Sequence, residues 1–106
     1  MLALKPETRL ALRDDITIQA IPELNHYYAF NIKNGDHFQL NHTAYWILEE
    51  VGTEMTLTEL SDKFGKTFEL EQDVAERDLC EVIKFALGNN IVKEVRNEQN
   101  KKAKTL

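Results

Sequence analysis

The chain has 106 residues, 42% hydrophobic and 29% charged, with a net charge of −5. That is the length of one domain with a modest core, and no stretch approaches the roughly 20 apolar residues of a membrane span. From Arg96 to Leu106 four basic residues stand against one acid, a net of +3, which leaves −8 on residues 1–95, and a body so acidic repels a phosphate backbone.

Cys80 is the only cysteine, so an internal disulfide is excluded and a reducing, cytoplasmic location fits. No basic start leads into a long apolar run, and Met1 to Leu4 is too short for a signal peptide.

Lys5-Pro6-Glu7 reads as an extended lead-in, because proline biases the residue before it away from helix. Arg9 to Arg13 alternates weakly, and Asp14-Asp15 makes a turn. ITIQAI, Ile16 to Ile21, alternates β-branched and polar residues as a first strand does, and Pro22 ends it. Tyr27 to Ile32, rich in aromatics, is a second strand. Asn34-Gly35 is a strong hairpin signal, since both residues tolerate the positive φ of a type I′ turn. It predicts a third strand, His37 to Leu40, antiparallel to the second.

The period then changes. Asn41 caps a helix whose buried stripe is Ala44, Ile47, Leu48 and Val51, and Gly52 stops it. Tyr45 and Trp46 lie off that stripe, which leaves two readings, packing against the strands or a partner surface. Thr56-Leu57-Thr58-Glu59 is a capping box opening a short second helix through Phe64, with Leu57, Leu60 and Phe64 inward and Gly65 as its end. A third helix, Gln72 to Gly88, carries the core stripe Ala75, Leu79, Val82, Ile83 and Ala86. Asn90 reads as a left-handed cap, after which Ile91-Val92 drop back onto the core. Charged residues from Lys93 on lead into a tail, residues 96–106, expected to be disordered and most simply solubilising. The fold class is α+β: a three-stranded antiparallel sheet followed by three helices, in winged helix-turn-helix proportions. Residues 1–95 form a single domain.

Catalytic chemistry is not expected. His26, His37 and His42 have no carboxylate or cysteine at metal-site spacing. Cys80 has no histidine near it in sequence and reads as a half-buried helix side chain. With neither a glycine-rich phosphate loop nor a nucleophile elbow, no cofactor or metal is called for. Asp14-Asp15 and Glu49-Glu50 read as solvated faces. A DNA-recognition helix offers Arg, Lys, Asn or Gln to the groove. The third helix instead carries Glu71, Asp73, Glu76, Asp78 and Glu81 against Arg77 and Lys84.

That helix does hold an exposed line of mixed character, Val74, Asp78, Glu81 and Phe85. Phe85 has two readings, packing against the chain ends or forming one wall of a groove. The third strand would supply the other wall, because a three-stranded sheet leaves free edges that can accept a peptide.

The ordered set Phe38-x-Leu40-Asn41-x-x-Ala44-x-x-Ile47-Leu48, Gly52, Leu57-x-x-Leu60 with Phe64, Asp78-Leu79-x-x-Val82-Ile83 and Asn90-Ile91-Val92 resembles the PqqD family. The likeness runs from about Leu10 to Val95. Asn90 stands where the family has glycine, and Ala86 where leucine is usual. The resemblance implies a peptide-recognition domain, not an enzyme. Such a domain binds the leader of a ribosomally made precursor peptide and presents the core segment to a modifying enzyme, frequently a radical enzyme carrying iron–sulfur clusters. The leader would add as a strand along His37, Phe38, Gln39, Leu40 and Asn41, with Phe38 and Leu40 facing the core. Val74, Arg77, Asp78, Glu81, Lys84 and Phe85 would form the helix wall, an apolar leader residue entering beside Phe85 and leader acids meeting Arg77 or Lys84. A winged-helix protein adaptor and, behind it, a DNA-binding regulator are the alternatives, and the free edge also leaves a homodimer open.

Overall fold

Two antiparallel sheets and three α-helices make up the described part of the chain, residues 5, 7–53 and 55–95 of a computed structural model. The elements in order are β1 (Arg9–Leu12), β2 (Ile16–Ile21), β3 (His26–Asn31), β4 (His37–Leu40), α1 (His42–Val51), α2 (Leu57–Phe68), α3 (Gln72–Gly88) and β5 (Val92–Val95). The expected three-stranded sheet is present in the order β2-β3-β4. The β2–β3 connection is a 3-10 turn, Pro22–Leu24, closed by Asn25 in the left-handed region at φ 57°.

The β3–β4 hairpin departs from the expected two-residue turn. Asn34 does not take a positive φ; Gly35 alone does in this turn, at +83°. Asn31 organises a longer loop instead. Its side-chain oxygen accepts from the N–H groups of Lys33 (2.8 Å) and Asn34 (3.0 Å), and its carbonyl accepts from Gly35 N–H at 2.9 Å. An Asx side chain mimicking backbone thus does the turning, and only the glycine supplies the left-handed residue.

A second, two-stranded sheet is not announced by the sequence. β1 pairs antiparallel with β5, Leu10 opposite Glu94 and Leu12 opposite Val92. The chain therefore continues as a strand through Lys93 to Val95 before the charged tail, which lies outside the described residues. Leu57 N–H donates to the Thr8 carbonyl at 2.9 Å, and Arg13 N–H to that of Ile91 at 2.9 Å. These bonds tie the start of the chain to both α2 and the exit from α3.

The helix ends follow local chemistry. Asn41 Oδ1 accepts from Ala44 N–H at 2.7 Å. The Thr56 hydroxyl accepts from Glu59 N–H at 3.1 Å, while the Glu59 carboxylate accepts from Thr56 N–H at 2.9 Å. Asn90 adopts the expected left-handed conformation, φ 60°, and Ile91 and Val92 are buried. α2 does not stop at Gly65, however. It runs to Phe68 and ends at Glu69, which is left-handed at φ 55°. Gly65 lies where α2 approaches α3: a Cβ there would stand 3.5 Å from the Ala75 Cβ.

The core lies between sheet and helices, with Leu10, Ile47, Leu48, Leu60, Phe64, Leu79, Ile83 and Ile91 almost wholly excluded from solvent. The two readings of Tyr45 and Trp46 resolve toward packing. Tyr45 stacks on Tyr27 of β3, centroids 4.7 Å apart, and Trp46 contacts Phe64 and Phe68 of α2 at 5.8 and 5.5 Å.

Candidate functional site

β4 is an edge strand: it pairs with β3 through His37–Phe30, Phe38–Ala29, Gln39–Tyr28 and Leu40–Tyr27, and with no other described strand. Antiparallel ladders alternate between pairs that exchange hydrogen bonds and pairs that do not. Asn31 N–H donates to the Asp36 carbonyl at 2.8 Å, and Ile32 N–H to that of Asp15 at 2.8 Å. Counting along the ladder from the Asn31–Asp36 pair, Phe38 and Leu40 bond inward to Ala29 and Tyr27. The N–H and C=O of His37 and Gln39 therefore point out of the sheet edge.

Side chains alternate as well. Phe38 and Leu40 face the helices, Leu40 buried and Phe38 half-buried against the core. His37 and Gln39 are exposed on the other face, where the His37 ring lies 5.9 Å from that of Phe30. Asn41 serves as the α1 cap.

Beside the open edge lies a shallow cleft of about 230 Å³, lined by Gln39, Leu40, Asn41 and Ala44 on one side and Glu81, Val82 and Phe85 on the other. Phe85 forms its outer wall. The ring meets Phe38 edge-to-face at a centroid distance of 5.9 Å and remains 44% exposed. Its ring neighbour among the described residues is thus the edge strand. The cleft floor is apolar, and the carboxylate of Glu81 is its one ionisable group.

Among the eleven residues that sequence reading nominates, Gln39, Leu40, Asn41, Glu81 and Phe85 converge on this cleft, and Phe38 supports it through Phe85. His37 lies further along the same edge. Val74, Arg77, Asp78 and Lys84 do not line the cleft; Arg77 Nε instead approaches Asp78 Oδ1 at 3.7 Å on the surface. Helix rotation turns Lys84 away, about 160° around α3 from Val82, whereas Val74 and Asp78 share the face of Glu81 and Phe85 but lie nearer the start of the helix. Ala44 and Val82 line the cleft although periodicity assigns them to the core. Their place at the margin of their helix stripes is the signal that marks them, Val82 being only half-buried.

The two groups with displaced pKa values stand outside the cleft. Burial, with Glu49 and Tyr27 nearby, pushes Tyr45 up. The hydrogen bond from Thr56 N–H pulls Glu59 down. Among the described residues no cluster of three or more His, Cys, Asp or Glu could hold a metal ion. No described helix is long and apolar enough to cross a membrane.

An open strand edge, a helix wall and an apolar cleft between them place the molecule among small winged-helix-like domains that leave a sheet edge available. Residues 23–92 match the sequence pattern of Coenzyme PQQ synthesis protein D (PqqD), and the chain belongs to that family. The fold is similar to that of lasso peptide synthetase B1 complexed with the leader peptide, at a TM-score of 0.67 and 20% identity over 79% of this chain and 96% of that one. It is also similar to TbiB1 in complex with the TbiA(beta) leader peptide, at 0.69 and 14% over 82% and 99%. A third similar structure is the PqqD truncation of Methylobacterium extorquens PqqCD, a stand-alone recognition element for ribosomally synthesized and post-translationally modified peptides. It matches at 0.71 and 14% over 86% and 95%. At these identities the likeness is one of fold. A comparison with curated proteins finds no match.

Proposed function

We propose that this chain binds the leader segment of a ribosomally made precursor peptide by strand addition to β4, and presents the remainder of the peptide to a modifying enzyme. The observation that carries this reading is the outward-pointing backbone of His37 and Gln39 directly beside the cleft walled by Phe85. Backbone pairing supplies affinity without regard to sequence, and a pocket for alternate side chains supplies selectivity. Family membership and the leader-bound state of two proteins of similar fold support the same reading. The domain contributes recognition, and the chemistry belongs to its partner. In this reading the partner is a radical enzyme carrying iron–sulfur clusters.

The test is capture of short peptides from the native cell on the full chain, followed by amide hydrogen exchange with the captured peptide. Strand addition slows exchange at Gln39 and His37, which face solvent in the free protein. A peptide that protects α2 or the β2 edge and leaves those amides unchanged would overturn the proposal. Pairing of two copies through β4 would protect the same amides, but with a dependence on protein concentration rather than on added peptide.

A further inference from the structure

We infer that the leader recognised by this chain carries a lysine or arginine two residues from its apolar anchor, selected by Glu81 beside Phe85. This rests on the reading of the cleft as the leader site and specifies what that site accepts.

Three observations meet here. Glu81 is the single ionisable group lining the cleft, whose floor at Leu40, Ala44, Val82 and Phe85 is apolar. It is exposed and has no ion-pair or hydrogen-bond partner among the described residues, unlike Asp78, which Arg77 approaches at 3.7 Å. The cationic side chains nearest in sequence, Arg77 and Lys84, do not line the cleft. The sign of charge offered to a bound strand is therefore negative, opposite to the expectation that Arg77 or Lys84 would meet leader acids. The surrounding field has the same sign, since α3 carries Asp73, Glu76 and Asp78 besides Glu81 against Arg77 and Lys84, and the chain has a net charge of −5.

Spacing sets the motif. Phe85 and Glu81 are one helical turn apart, an axial rise of about 6 Å. Side chains on one face of a strand recur every two residues, about 6.7 Å. A strand laid between β4 and α3 can then offer one side chain to the apolar floor at Leu40, Ala44, Val82 and Phe85, and the next on the same face to Glu81. An acid at that second position would meet the like charge of the Glu81 carboxylate.

The experiment pans a phage-displayed library of random twelve-residue peptides against the full chain and against its Glu81→Lys and Gln39→Pro variants. The wild type is expected to enrich Lys or Arg two positions from Leu, Ile, Val or an aromatic residue. Glu81→Lys is expected to replace that cation with Asp or Glu and keep the apolar anchor. A synthetic consensus peptide with its Lys changed to Glu should bind the wild type about three- to tenfold more weakly, the range for a partly exposed charge pair turned repulsive. An apolar anchor enriched without a cation, or a cation bias that survives Glu81→Lys, overturns the charge assignment and leaves strand addition standing. Enriched peptides that bind Gln39→Pro as tightly as wild type, or no enrichment at all, overturn the leader site and the motif with it.

Discussion

Replacing Gln39 with proline separates binding from folding, because the ladder register assigns the Gln39 N–H to the open side of β4. Proline removes that donor without removing any bond to β3, and edge strands tolerate proline when its missing N–H faces solvent. Phe38, the residue before it, is already extended, as a pre-proline residue prefers. Stability should fall by no more than about 1 kcal/mol. A bound leader loses one hydrogen bond of about 1 kcal/mol, and its orphaned carbonyl adds about 1–3 kcal/mol. Binding should weaken by roughly thirtyfold to several hundredfold, since each 1.4 kcal/mol is a factor of ten. Phe38→Pro is the control: it deletes a donor to Ala29 and the ring that supports Phe85, and should destabilise by about 3 kcal/mol or more. Binding is read by anisotropy of a labelled captured peptide. Folding is read from Trp46 fluorescence, which reports the α1–α2 core through Phe64 and Phe68. Affinity within threefold of wild type for a folded Gln39→Pro would refute strand addition at β4. Unfolding as severe as that of Phe38→Pro would refute the register.

Phe85→Ala should reduce peptide affinity by about tenfold or more and cost the fold only about 1 kcal/mol, the worth of one edge-to-face ring pair; a loss above 3 kcal/mol in a denaturant titration would place Phe85 in the core. Gly65→Ala should stabilise by about 0.5–1 kcal/mol, because the new methyl meets Ala75 at ordinary contact distance inside a helix; a lower melting temperature would contradict that packing. Thr56→Ala should cost about 1 kcal/mol through loss of the α2 cap, seen as earlier thermal unfolding. The Glu59 carboxyl is held below its ordinary value in the folded state by the Thr56 N–H, so its contribution is complete above the unfolded pKa and disappears as pH falls through the lower, folded one. In Glu59→Gln, which removes that carboxyl, the stability change with pH across the acid range should be shallower than in wild type, and an unchanged slope would exclude the coupling.

Most of the architecture is legible because its signals are local. Asn41, Thr56 with Glu59, and Asn90 each announce a helix boundary through a bond their own side chain or backbone makes. The stripes of α1 and α3 report their buried faces directly. What stays hidden depends on residues far apart in sequence. β1 and β5 are short, and each is a strand only because the other lies beside it, some 80 residues away by their register. Gly65 looks like a stop until Ala75 is seen against it. The site shows the same division. β4 and Phe85 stand out in sequence, but which charges face the strand depends on the rotation of α3. That rotation turns Lys84 away and brings Glu81 in.

The energetics assign different tasks to the two walls of the cleft. His37 and Gln39 together offer two N–H and two C=O groups at the edge, and at about 1 kcal/mol net for each bond they hold a strand at about 4 kcal/mol, near 1 mM. That is too weak to select a partner, and also too weak for two copies to pair through four residues at ordinary concentrations. The short edge therefore limits its own self-association. An apolar side chain seated against Leu40, Val82 and Phe85 adds about 1.5–3 kcal/mol, which moves the complex from millimolar toward ten micromolar before the cost of ordering the peptide. Affinity then turns on whether a single anchor fits, and discrimination on what Glu81 meets beside it. A leader exchanged for one with the same anchor but an acid at the flanking position should still add to β4, yet fall back toward the affinity that backbone pairing and the anchor alone support.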